Sequence, residues 1–507
     1  ALFNVCGEIT VVDAEVTTLP DDPNPDIDLQ PNSAIVADGD TVRFDVTVRN
    51  DADIAGSLAE NLFVRLRFGT AWTNVTLVSS SVTHSGATNA TVVEQQGDTN
   101  VLIDLVGVAL DPVGDQAVFE FDATAVEGPG DLGVRAEVVG SCEEPLITPS
   151  CVFSNVFGEA PLADTIVAGG PASGPVNGQY YGFDQDQSAV AGFSVSKTVR
   201  YDGEAAGEAG AARAARVGED LVYRIEARYF GNTFSNVTVN ESLPAELAFG
   251  TPVDAGLSGS VTNWLYDAGT GVFTLQPGIL DSHPSVFRVD IPVTVSNAPV
   301  NQDGTLVQNE ATSVFDVFQL TTTPPSVTTD VSVVEPVLDI VKDSDRFGTV
   351  QAGDIVTYSN VITHTGGSTT SAYDLVFTDT LPAGLTFQHP DIDFLGDGLD
   401  NDGDGSVDEG DENSLVSGDT ITVTTNRSAA FAELEIGESV VVTYQVKVLN
   451  QLIGSDLVNR GVIAYTSMPG EDPAERTGED GPGQLNDYTD ADTETLTSES
   501  IGGLSKT

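Results

Sequence analysis

Apolar and polar residues alternate along short stretches of this chain, as in Asp40 to Arg49, where polar neighbours separate Val42, Phe44, Val46 and Val48. A period of two predicts a β-strand with one buried face and one wet face. The same pattern returns at Gly218 to Ala227 and at Gly353 to Ile362. Three copies of one unit are the simplest reading. A second landmark, Glu241 to Phe249 with its Leu243-Pro244 pair, repeats position by position as Asp379 to Phe387. A third places Asn309 five residues after Gly304 and Asn459 five residues after Gly454, each ahead of a last apolar strand. Short strands between turn signals predict an all-β chain of tandem immunoglobulin-like antiparallel β-sandwich domains.

The landmarks divide the chain into a closing strand of a preceding repeat at 1–12, a divergent β-sandwich at 13–157, and a Gly/Pro-rich linker at 158–190. A β-sandwich repeat follows at 191–333, another with an acidic insertion at 334–497, and an opening strand of a following repeat at 498–507. Within the linker, Tyr180 to Phe183 is expected to pack on a neighbouring domain. The Ala-, Glu- and Arg-rich stretch from Glu204 to Arg216 reads as a short helix or a loop. Ile501 to Thr507 echoes Gly192 to Thr198, and Phe3 to Glu8 echoes Ser154 to Glu159. The ends therefore read as half repeats: a piece of a longer array, or strands that complete neighbouring molecules.

Composition narrows the function. With 77 acidic and 19 basic residues the formal charge is −58, which repels nucleic acid and anionic lipid and calls for a salty or calcium-containing medium. No apolar run is long enough to span a membrane as a helix. Of the three cysteines, Cys142 and Cys151 flank a short loop and read either as a hairpin staple or as two free buried thiols, while Cys6 has no assigned partner.

The chain resembles a known family at this point. A lysine at the repeat start, the Gly-Asp-x-Val-x-Tyr strand, Asp379 to Phe387 and the late Asn strand look like the "domain of unknown function eleven" repeats, related to the fimbrial isopeptide-forming domains. The second and third units carry the likeness. It implies extracellular β-sandwich modules of large bacterial or archaeal surface proteins.

Lysine is rare, and three of the four, Lys197, Lys342 and Lys506, sit at the same point of a repeat opening. Only lysine among the basic side chains supplies a primary amine that can lose its proton. Each late unit offers partners in the same order: Lys197 with Glu241 and Asn309, and Lys342 with Asp379 and Asn459. Burial pushes an amine toward its neutral, nucleophilic form and a carboxyl toward its protonated form. An intramolecular Lys-Asn amide with loss of ammonia is then possible, as the resemblance implies. The alternative is a lysine capping a strand with its head in solvent. The first unit has no lysine, which excludes such a bond there.

In the third unit, Asp400, Asp402, Asp404, Ser406, Asp408 and Asp411 fall at positions one, three, five, seven, nine and twelve of a calcium-loop spacing, with Gly405 at six. Alternate carboxylates on a tight turn supply the oxygens a hard cation needs. No nucleophile elbow, phosphate loop or spaced histidine cluster occurs, and no enzyme is expected. The reading is a structural surface protein, stabilised by calcium and, where the Lys-Asn amides form, by intramolecular cross-links. It is a segment of a fibre, sheath or appendage partnered by its own copies or adjacent repeats; an adhesin stalk is the alternative.

Overall fold

The computed structural model describes residues 25–499, apart from 51–58, 84–90, 97–99, 111–113, 129, 143–179, 189, 282–283, 388–415, 418, 426–427, 451–453 and 481–483. Almost every described element is a strand, because the alternating stretches can bury apolar side chains only by pairing into sheets that face one another. In Thr41–Asn50 burial alternates residue by residue, with Phe44, Val46 and Val48 wholly buried. Each such side chain contributes about 1.5–3 kcal/mol by leaving water.

Six sheets stand in three facing pairs, each pair enclosing one hydrophobic cluster. In the first pair, Pro25–Pro31, Thr41–Asn50, Gln116–Ala125 and Trp72–Thr83 face a sheet built around Val134–Cys142, Ala59–Phe68 and Asn100–Leu110. Tyr180–Ser188, inside the expected linker, corrects that expectation: it pairs antiparallel with Val134–Cys142 along nine residues and completes the edge of the second sheet. An open strand edge exposes a row of amide groups, and this returning strand satisfies them. Tyr180 to Phe183 thus lies on an edge strand of the first unit's second sheet.

The second unit sets Ala191–Tyr201, Asp220–Phe230 and Ser285–Val295 side by side in one sheet. Facing it, Leu306–Val317 lies between Val327–Val334 and Phe234–Glu241. The third unit repeats the plan, with Leu338–Ser344, Ile355–His364 and Ser439–Val448 against Thr489–Ser498, Asp456–Thr466 and Ala372–Thr380. The stretch from Glu204 to Arg216 holds a single 3-10 turn, Ala206–Glu208, and a short strand, Ala212–Arg216, parallel to Val327–Val334.

Candidate functional site: two buried lysine clusters

Register explains how three distant residues meet. Glu241 pairs with Ala311, and Asp379 with Gly461, so each acid lies two residues along from Asn309 or Asn459 on the neighbouring strand. Side chains two apart point to one face, here the core. The lysine comes from the opposite sheet: Lys197 from Ala191–Tyr201, and Lys342 from Leu338–Ser344. Its head group meets the facing acid across the core.

In the second unit the side chains of Lys197 and Glu241 are both 0% exposed. Lys197 Nζ donates to Glu241 Oε1 at 2.7 Å and to Oε2 at 2.6 Å. Asn309 Nδ2 donates to Glu241 Oε1 at 2.7 Å, so one carboxylate holds both the amine and the carboxamide. Ser242 Oγ donates to Asn309 Oδ1 at 2.7 Å, aimed at the carbonyl oxygen on which negative charge develops in any attack at that carbon. Tyr223, the tyrosine of the Gly-Asp-x-Val-x-Tyr pattern, places its ring 4.9 Å from Lys197 Nζ.

Burial dominates the electrostatics. It lowers the Lys197 amine to about 8 against the pull of Glu241, and it raises the Glu241 carboxyl against the pull of Lys197. Both partners move toward their uncharged forms.

The third unit brings its predicted triad together with two additions. Lys342 Nζ donates to Asp379 Oδ2 at 2.6 Å, and both side chains are fully buried. It also donates to Asn360 Oδ1 at 3.1 Å and to the Tyr444 hydroxyl at 2.7 Å. Asn459 Nδ2 donates to that hydroxyl at 2.8 Å, and the hydroxyl donates to Asp379 Oδ2. Asn459 Oδ1 and Asp379 Oδ1 are buried without a hydrogen-bond partner. Burial lowers the Lys342 amine, opposed chiefly by Asp379. Lys342 Nζ lies 4.5 Å from the Tyr358 ring, which repeats the contact of Tyr223. The fourth lysine, Lys447, is exposed.

Sequence reasoning missed Tyr444 and Asn360. The only signal was a tyrosine at an inward position of Ser439–Val448; its register partner is Tyr358, whereas Tyr223 has Ile291 in that place. Gly461 leaves the space: a Cβ there would stand 2.8 Å from Asn360 Oδ1.

Beside Lys342, the strand Thr489–Ser498 turns carboxylates toward the free edge of Leu338–Ser344. The amides of Ile340 and Lys342 donate to Asp490 Oδ2 at 2.9 Å and Asp492 Oδ2 at 2.8 Å. Ser344 Oγ donates to Glu494 Oε1 at 3.2 Å.

Asp400, Asp402, Asp404, Ser406, Asp408 and Asp411 lie outside the described residues, as do Cys6, Cys151, Lys506, the side chain of Cys142 and the terminal segments 1–12 and 500–507. No cluster with metal-ligand geometry occurs among the described residues.

No family model matches the chain, so the resemblance stated above rests on its own motifs, and no curated protein matches it either. Among solved structures, the major pilin subunit BcpA of Bacillus cereus covers 94% of this chain and 97% of its own at 9% identity, with a TM-score of 0.24. The full-length major pilin SpaD of Corynebacterium diphtheriae covers 87% and 88% at 11% identity, with a TM-score of 0.22. The C-terminal domain of the Streptococcus agalactiae AgI/II polypeptide BspA covers 60% and 100% at 12% identity, with a TM-score of 0.28. Superpositions this loose describe a distant likeness, and no property of this chain follows from them.

Proposed function

We propose that this chain is a structural segment of an extracellular surface fibre or appendage, and that its second and third units lock themselves with Lys197–Asn309 and Lys342–Asn459 amide bonds. The observation that carries the reading is the burial of two lysines, each against a carboxylate and within one hydrogen-bonded cluster that includes a carboxamide. A surface salt bridge contributes little, and a fully buried one costs desolvation it barely recovers, so stability alone gives no reason to keep two of them.

The chemistry in the second unit balances without a co-reactant. Lys197 passes a proton to Glu241, and the neutral amine attacks Cγ of Asn309. The Cγ–Nδ2 bond breaks as that nitrogen takes up a proton lost by the attacking amine, and ammonia leaves a secondary amide behind. Glu241 touches both nitrogens and carries the proton between them, while Ser242 steadies the carbonyl oxygen. The reaction happens once per molecule and consumes no outside substrate.

Intact-mass measurement of the folded chain tests it: the expected mass is short of the sequence mass by two ammonias, and a full sequence mass refutes it. Lys197→Met should return one ammonia and Lys342→Met the other. Calcium at Asp400 to Asp411 is a second part of the proposal, resting on the loop spacing. Calorimetry with and without chelator at matched ionic strength should show the third unit melting lower without calcium; superimposable melts refute that part.

A further inference from the structure

The two clusters differ at one chemical point, and the difference falls on the atoms that must exchange protons. Glu241 reaches both Lys197 Nζ and Asn309 Nδ2 with its own oxygens. Asp379 is one methylene shorter. It reaches Lys342 Nζ, and the Tyr444 hydroxyl fills the remaining gap to Asn459 Nδ2. We propose that Tyr444 is the proton relay of the third unit's self-cross-linking, compensating for the shorter Asp379, whereas the second unit, with Ile291 at the matching register, needs no relay. The inference rests on the amide bonds proposed above.

The hydrogen bonds already run in the required order, from Lys342 Nζ to the Tyr444 oxygen and from the Tyr444 hydroxyl to Asp379 Oδ2. In the first step the ammonium gives a proton to the phenol oxygen while the phenol gives its own to Asp379. The neutral amine then attacks Cγ of Asn459. In the last step the new C–N nitrogen gives a proton to the phenol oxygen as the phenol protonates Nδ2, the Cγ–Nδ2 bond breaks, and ammonia departs. The starting ammonium, carboxylate and carboxamide become a secondary amide, a carboxylic acid and ammonia, with every proton accounted for. Burial, and then Asp379, push the phenol's own ionisation far up, so the hydroxyl hands protons on in concert and never waits as a phenolate. Asn360 Oδ1 holds the third lysine proton and keeps Nζ aimed inward.

The test uses the full chain and reads each bond separately by intact mass and by peptide mapping after proteolysis. Tyr444→Phe keeps the ring and removes only the hydroxyl. The expected result is a chain in which the Lys197–Asn309 bond forms normally while the Lys342–Asn459 bond forms at least ~10²-fold more slowly, the usual scale of lost general acid–base help. The double variant Tyr444→Phe/Asp379→Glu should recover the bond, because the longer carboxylate then spans both nitrogens as Glu241 does. Two bonds formed at the wild-type rate in Tyr444→Phe overturn the relay. A lost third-unit bond that Asp379→Glu does not rescue assigns Tyr444 to packing and overturns it equally. A wild-type chain retaining both ammonias defeats the cross-linking reading itself, an outcome distinct from either.

Discussion

Lys197 illustrates how burial alone can prepare an amine for chemistry. Its folded value of about 8 lies below the ordinary 10.5, so between those pH values the unfolded chain binds a proton that the native chain has released. Unfolding free energy therefore rises with pH across that window. Glu241 works in the opposite sense: raised above 4.5, it keeps a proton in the native state that the unfolded chain has lost, and stability falls as pH climbs toward its folded value. A chain held open by Asn309→Ala should thus lose second-unit stability on leaving acid and regain it between about pH 8 and 10.5, read by hydrogen exchange of Leu306–Val317. A wild type that carries the proposed Lys197–Asn309 bond has no titrating amine there and should lack the alkaline recovery. Matching profiles in the two chains above pH 8 contradict the cross-link.

At the level of strands, the acid is placed by the turn that feeds its partner. The Glu241 amide donates to Gly271 O at 2.9 Å, and Gly271 takes φ of +71° with its Cα facing Glu241 O; an added Cβ would come within 2.1 Å of that oxygen. Backbone cannot yield as a flexible side chain can. Gly271→Ala should cost about 1–3 kcal/mol from the left-handed φ alone, more from the clash, and should slow the proposed Lys197–Asn309 bond while leaving the proposed Lys342–Asn459 bond unaffected. Equal rates at both bonds would show that the turn does not position Glu241. Much of this was readable in sequence, because alternation, the Leu-Pro landmark and the Gly-to-Asn spacing are local patterns that recur with fixed offsets. That the acid and the asparagine meet on one core face follows from the register of their two strands. Tyr444 was not readable, since its role follows from cross-strand register and from the missing methylene of Asp379. Tyr180–Ser188 escaped because Gly- and Asp-rich neighbours hide a strand that forms only against an existing edge.

Across the whole molecule, the three units are joined by built contacts. Between the first and second, Phe230 is buried in the first unit's cluster, Ile35–Val36 pairs with Ala191–Gly192, and Arg228 Nη1 donates to Glu127 Oε1 at 2.8 Å. At the junction of the second and third, Arg476 is buried in an ion pair with Glu335 of its own unit, which also accepts from Tyr488 at 2.7 Å, and the pair reaches across through Arg476 Nη2 to Asn301 O at 2.9 Å and through the Asp303 amide to Glu335 Oε2 at 2.7 Å. Asn297 Nδ2 reaches Glu475 O at 3.0 Å and Asn486 Oδ1 at 2.8 Å, and Ser467 Oγ reaches Val217 O at 2.8 Å. Arg476→Met strands Glu335 without its cation and should cost about 3–5 kcal/mol, splitting a shared calorimetric transition of the two units into separate ones. Arg476→Met/Glu335→Gln should recover most of the loss. An unchanged thermogram in Arg476→Met would mean that the two units melt independently already. The row formed by Asp490, Asp492 and Glu494 has a bearing on timing as well as on stability. A chain leaving a ribosome or a secretion pore delivers Leu338–Ser344 early and Thr489–Ser498 last, so the strand holding Lys342 lacks its lateral support until its own unit has emerged entire. The proposed Lys342–Asn459 bond would then close only on a finished unit, a permanent record that folding of that unit ran to completion.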